Sequence, residues 1–109
     1  MEKEPKINGI LYGSDTQAYG GMEALKEMGK RIPEEVAVAG FDDMPFSSIT
    51  EPPLTSIRQP MREMGKLGAQ MLLNAIKKKD FSHQAVKLKT ELILRQSTNK
   101  DIAREKLLW

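Results

Sequence analysis

The sequence predicts an α/β fold in which a parallel sheet lies between helical layers, and three observations carry that prediction. Residues 36–43 read Val-Ala-Val-Ala-Gly-Phe-Asp-Asp, an apolar run of small and β-branched residues without polar alternation. Such a run suits a strand buried on both faces, as in a parallel sheet covered by helices. An earlier apolar run, Ile7 to Gly13, is followed by a helical pattern, so the two runs form a strand, crossover helix, strand unit. Units of that kind are right-handed and place their strands parallel. Further on, Met61, Met64, Leu67, Gly68, Met71, Leu72, Ala75 and Ile76 recur at spacings of three and four, which predicts an amphipathic helix from Pro60 to Lys78.

Taken in order, Ile7–Gly13 is the first strand and Ser14-Asp15 supplies an N-cap, with Asp15 assigned to capping in preference to ligand contact. The first helix carries Ala18, Met22, Ala24, Leu25 and Met28, and Gly29 ends it at the C′ position. Residues 30–35 form a polar turn containing Pro33, and the buried strand follows at 36–41. From Met44 to Pro53 the prolines and hydroxyls predict an irregular stretch that exposes Phe46 and Ile49. Leu54–Gln59 is a short third strand, and Pro60 fits the first turn of the long helix. Its opposite face holds Arg62, Glu63, Lys66, Gln70 and Asn74, while Lys77-Lys78-Lys79 complements the dipole at its end. After a polar connection at 79–84, Val86–Leu94 is the last strand. Residues 99–109 form a charged tail, read as a short helix ending Leu107-Leu108-Trp109.

Function is expected where the strands end. In open parallel sheets ligands bind beyond the carboxyl ends of the strands, and Asp42 and Asp43 stand there. A carboxylate accepts hydrogen bonds from hydroxyl groups, and Gly40 permits close approach. By pattern alone the pair reads equally well as a loop cap. The parallel arrangement brings Ser14-Asp15 to the same sheet edge as Asp42-Asp43.

Composition narrows the function classes. The 109 residues carry 39% apolar and 29% charged side chains, usage that supports a packed core. Without cysteine there are no disulfides and no thiolate metal sites. No apolar run reaches the roughly 20 residues of a membrane span, and the N-terminus lacks a signal peptide's apolar stretch, so the chain reads as cytoplasmic. The net charge of +2 is spread without a basic nucleic-acid footprint. His83 is the sole histidine and sits in a polar connection without triad partners. Neither a P-loop nor a Gly-x-Gly-x-x-Gly is present, so an enzyme is not expected. No cofactor and no metal site is expected.

Four segments carry a resemblance. They are Gly13-Ser14-Asp15 opening a helix with Ala18-Tyr19-Gly20, then Ile32-Pro33-Glu34-Glu35 leading into Val36–Asp43, then Pro52-Pro53-Leu54-Thr55-Ser56-Ile57-Arg58-Gln59-Pro60, and the ending Leu94-Arg95-Gln96-Ser97-Thr98. In this order they resemble the C-terminal part of the effector-binding core of lactose-repressor (LacI/GalR) family transcription regulators, over residues 6–98. Ser14 stands where many members have Asn, and Tyr19 where an aliphatic residue is usual. The resemblance implies a Rossmann-like, three-layer part of a periplasmic-binding-protein-like domain. Residues 6–54 and 86–95 would then lie in the C-terminal subdomain and the helix 60–78 in the N-terminal one. It also implies that the helix-turn-helix reader lies outside these residues, so operator DNA would be reached only through an N-terminal domain.

By the same resemblance Ser14, Asp42 and Met61 would touch a small-molecule effector, most simply a sugar. Asp15, Phe41, Asp43, Arg58 and Gln59 would lie in the cleft or hinge. Dimer contacts would come from Tyr19, Met22, Glu23, Phe46, Ser47, Ile49 and Thr50. The apolar stripe of the long helix, whose partner subdomain lies elsewhere, adds a drive to form a homodimer or higher oligomer. The runner-up readings are a periplasmic-type sugar-binding protein fragment and a small α/β enzyme.

Overall fold

The computed structural model describes residues 6–82 and 84–101. His83 and the tail beyond Asp101, with its expected short helix, lie outside the described residues. The elements follow in the order β1 (Gly9–Leu11), α1 (Asp15–Glu27), β2 (Ala37–Asp42), a 3-10 helix (Pro45–Ser48), β3 (Thr55–Arg58), α2 (Met61–Lys78) and β4 (Glu91–Ile93). The strands form one sheet in the order β1-β2-β3-β4. β1 pairs with β2 and β2 with β3 in parallel, while β4 returns antiparallel to β3. The mixed α/β architecture with a mostly parallel sheet is the one expected.

The chain divides into two compact units, one running up to Arg58 and resuming at Glu91, the other spanning Gln59–Thr90. In the first, α1 lies on β2 because its apolar residues fall on one stripe. Ala18, Met22 and Leu25 from α1 join Val36, Val38 and Leu54 in the core, with Ile10, Tyr12, Tyr19 and Ile32 packed around them. Helix α1 ends as the sequence suggests, with Gly29 at φ 75°, a left-handed conformation that costs glycine nothing.

In the second unit α2 has no buried residue, and Met61, Met64, Leu72, Leu73 and Ile76 are exposed. Pro60 is its N-cap and Lys79, at φ 51°, its C-cap, with Lys77 and Lys78 in the last turn. Residues 84–90 are irregular and face α2 across a cavity of about 430 Å³ lined mainly by Met64, Leu67, Met71, Val86 and Leu88.

Two expectations need correction. The last strand is Glu91–Ile93 where Val86–Leu94 was expected, because only those residues find partners on β3. The stretch after Asp43 is not wholly irregular. Pro45 opens a 3-10 turn in which Ser47 N donates to Met44 O at 2.9 Å, a short element that proline favours at its start.

Candidate functional site

The register of β1 and β2 sets the geometry of the sheet edge. Leu11 pairs with Ala39, and Ser14 and Asp42 each follow three positions later, so both stand at the carboxyl side of the sheet. Ser14 is the N-cap of α1, and its Oγ accepts from Gln17 N at 3.2 Å. As an acceptor in that bond, the hydroxyl does not spend its own proton on it. Asp42 is half-buried at the end of β2 with φ 111°, and Asp43 follows at φ 52°. Non-glycine residues with such φ values are held there by their surroundings at about 1–3 kcal/mol each.

The surroundings are a polar cluster built around Asp15. This residue is wholly buried and follows the cap Ser14 as the first residue of α1, so its carboxylate is spent on other partners than the helix end. Its Oδ2 accepts from Met44 N at 2.7 Å and from Ser47 Oγ at 2.5 Å, and its Oδ1 accepts from Ser56 Oγ at 2.6 Å. A Cβ at Gly40 would collide with Oδ1 and lie 3.1 Å from Leu54 Cδ2, so glycine is what lets the carboxylate reach the sheet. Proton directions follow from these contacts. Ser56 gives its proton to Asp15 and therefore accepts from Asp43 N at 2.9 Å. Ser47 likewise gives its proton to Asp15, so Tyr19 is the donor in the 2.6 Å contact between the two hydroxyls. Burial raises the Tyr19 pKa above 10, and the neighbouring Asp15 and Asp43 carboxylates push it the same way, so the phenol stays protonated and able to donate.

Asp43 anchors the end of β2 through its side chain. Its side chain is 4% exposed, with Oδ2 2.6 Å from Arg58 Nε and Oδ1 2.7 Å from Arg95 Nη1. Arg95 is 2% exposed and donates also to Leu54 O at 2.8 Å. Buried guanidinium and carboxylate groups persist only when paired and hydrogen-bonded in this way. Around them Ser97 Oγ accepts from Thr55 N at 2.7 Å and donates to Val38 O at 2.5 Å, tying the Arg-x-Ser-Thr segment to the sheet. Arg58 opposes Asp42 in the β2–β3 register and Glu91 in the β3–β4 register, so the chain leaves and re-enters this unit side by side.

The remaining expected residues divide. Phe41 is half-buried within β2 opposite Ile57. Gln59 and Met61 belong to the second unit, where Met61 is half-exposed. Of the expected dimer contacts, Glu23, Phe46 and Ile49 are exposed, while Tyr19 and Thr50 are half-buried. Met22 and Ser47, at 3% and 0% exposure, serve this chain's own core and the Asp15 cluster. Tyr19 meets Phe46 edge to face, with ring centroids 5.3 Å apart. Sequence reasoning missed Ser56 and Arg95 as contributors. An arginine closing an apolar strand next to Ser-Thr was the available signal for the second, and Ser56 gave none.

Residues 1–98 match the periplasmic binding protein-like domain family. The chain belongs to that family, as the C-terminal part of a LacI-type effector core. Among relatives, the ribose operon repressor of Halalkalibacterium halodurans is 36% identical over 98 residues, which are 90% of this chain and 30% of that protein. The repressor PurR of Vibrio vulnificus is 38% identical over 87 residues, 80% of this chain and 26% of its own length. The chain thus spans under a third of the curated relatives it matches. Among solved structures, the lac repressor dimer bound to operator and an anti-inducer superimposes with a TM-score of 0.75 at 32% identity, covering 84% of this chain and 27% of that one. A LacI-family regulator from Enterococcus faecalis with bound ribose gives 0.76 at 34% identity, covering 91% and 36%. No helix among the described residues is long and apolar enough to cross a membrane. Those residues also gather no group of three acidic or histidine side chains able to hold a metal ion.

Proposed function

We propose that this periplasmic binding protein-like chain forms one wall of a sugar effector site in a LacI-type transcription regulator, with Asp42 accepting hydrogen bonds from sugar hydroxyls and Ser14 donating its hydroxyl proton. The observation that carries this reading is the equal offset of Ser14 and Asp42 from the paired residues Leu11 and Ala39, toward the carboxyl edge of a parallel sheet, the edge at which such sheets bind ligands. Ribose is the probe of choice, because a relative is named a ribose operon repressor and a neighbouring structure holds ribose. Arg58, opposite Asp42 in the β2–β3 register, would add a contact from the same unit. The exposed Phe46 and Ile49, with Glu23, supply a surface for a second copy. Operator binding would belong to a DNA-reading domain outside residues 1–98. No chemistry at the site calls for a nucleophile or an acid–base pair, so the role is binding and signalling.

The test is a ribose titration followed by amide chemical shifts. Ribose is expected to perturb Ser14, Gly40, Phe41 and Asp42, and Asp42→Ala to weaken that response by about 1–3 kcal/mol, the value of a hydrogen bond to a charged group. An unchanged response in Asp42→Ala removes that residue from the site.

A further inference from the structure

We propose that Asp15 is the positioning residue of this site: a single buried carboxylate that fixes the spacing and direction of Ser14 and Asp42. The inference deepens the sugar-site reading and rests on it for its functional meaning, but its geometric content stands apart. Asp15 is the first residue of α1, directly after the cap Ser14, so whatever holds its carboxylate holds the start of the helix. Its Oδ2 takes the Met44 amide, and through Ser56 its Oδ1 secures the Asp43 amide. The two amides that follow Asp42 are therefore both drawn back toward α1, and the chain has to turn at Asp42 itself. That turn is the φ of 111° at Asp42 and 52° at Asp43.

The remaining contacts support the same centre from other sides. Gly40 leaves the space into which the carboxylate reaches, and the two arginines hold the Asp43 side chain. The partners recorded for Asp15 are one backbone amide and two hydroxyls, which are directional donors, and direction is what positioning requires. The consequence is selectivity. A ligand is accepted when its hydroxyl groups match the separation that Asp15 imposes between Ser14 and Asp42.

The experiment uses the 109-residue chain and two independent routes to the same loss. Asp15→Asn replaces one acceptor oxygen by a donor, and Ser56→Ala removes the relay to the Asp43 amide while leaving Asp15 in place. Val38→Ala, a core substitution distant in role from the polar cluster, controls for simple loss of stability. The first readout needs no ligand: the three-bond coupling between amide and α protons of Asp42, small at φ 111° and large for extended backbone. Both variants are expected to raise that coupling, and Val38→Ala to leave it alone, with Ser56→Thr restoring it. The second readout is ribose affinity, expected to fall about tenfold in both, the equivalent of one lost hydrogen bond to a charged group. An unaltered Asp42 coupling in folded Asp15→Asn and Ser56→Ala overturns the inference, as does an equal change in Val38→Ala. A changed coupling in a chain that never responds to ribose keeps the positioning role and sinks the sugar-site reading instead.

Discussion

The two units of the chain invert the usual distribution of side chains. Around the end of β2 the first unit buries Asp15, Ser47, Ser56, Arg95 and Ser97 completely or nearly so. In the second, α2 leaves Met61, Met64, Leu72, Leu73 and Ile76 exposed and buries nothing. A buried polar group is tolerable only when every donor and acceptor finds a partner, and the Asp15 and Asp43 clusters meet that condition. An exposed apolar stripe is stable only when something outside covers it. The polar cluster of the first unit is therefore self-sufficient in its hydrogen bonds, whereas α2 in the second presents an apolar stripe for another surface to cover.

The largest expected effect breaks the self-sufficient side. Arg95→Ala removes one partner of a buried ion pair and leaves Asp43 with Arg58 alone, at a cost of about 3–5 kcal/mol. For a unit of this size that is a large share of its whole stability. Urea denaturation should show the cooperative transition lost or moved to much lower denaturant. A shift equivalent to less than about 1 kcal/mol, the size of an exposed pair, would place the Asp43 contacts among surface salt bridges.

On the other side of the comparison, Met64→Gln combined with Leu72→Gln should barely alter folding, since neither residue is buried. Self-association should respond instead. Burying a large apolar side chain contributes about 1.5–3 kcal/mol, so losing two from a shared surface should weaken association at least tenfold. Sedimentation equilibrium is the check, and an unchanged association constant would mean that copies meet elsewhere, with Phe46 and Ile49 the next residues to substitute.

A smaller effect sharpens the comparison within the first unit. Ser14→Ala removes the bond to Gln17 N, for which caps of this kind typically contribute about 1 kcal/mol. Thermal unfolding should report that loss, and Ser14→Asn, which retains a capping oxygen, should recover most of it. Equal melting of Ser14→Ala and the parent would show that Asp15 alone secures the start of α1.

How much of this was legible in the sequence follows from the range of each interaction. The parallel sheet and both helices could be read because apolar periodicity is local, and the Gly29 C′ residue because its conformation is local too. Ser14 and Asp42 could be placed on one edge because a right-handed crossover leaves one arrangement. Asp15 was misread because an aspartate at a helix start serves equally as a cap, and its partners Ser47 and Ser56 lie 32 and 41 positions away. Met22 follows the helical spacing of Ala18 and Leu25 and joins them in the core, as the apolar stripe of α1 implies. The antiparallel return of β4 and its short length depend on where the chain re-enters the first unit, which no local pattern records.

The smallest expected effect concerns Tyr19, the link between the buried cluster and the exposed Phe46. Its pKa is raised by burial, so the folded protein holds the phenolic proton beyond the pH at which an unfolded chain, with a value of 10.0, releases it. The folded state then binds more protons than the unfolded one in that window, and stability must fall as pH rises. The contribution is fully present below pH 10 and is lost as pH climbs through the raised value of the folded protein. Tyr19→Phe removes the titrating group and the proton given to Ser47 while keeping the ring against Phe46. It should start slightly less stable at neutral pH and lose the component of the alkaline decline that belongs to Tyr19. Denaturation midpoints for both proteins on either side of pH 10 decide the matter: parallel slopes would mean that burial does not hold the phenolic proton in the folded protein.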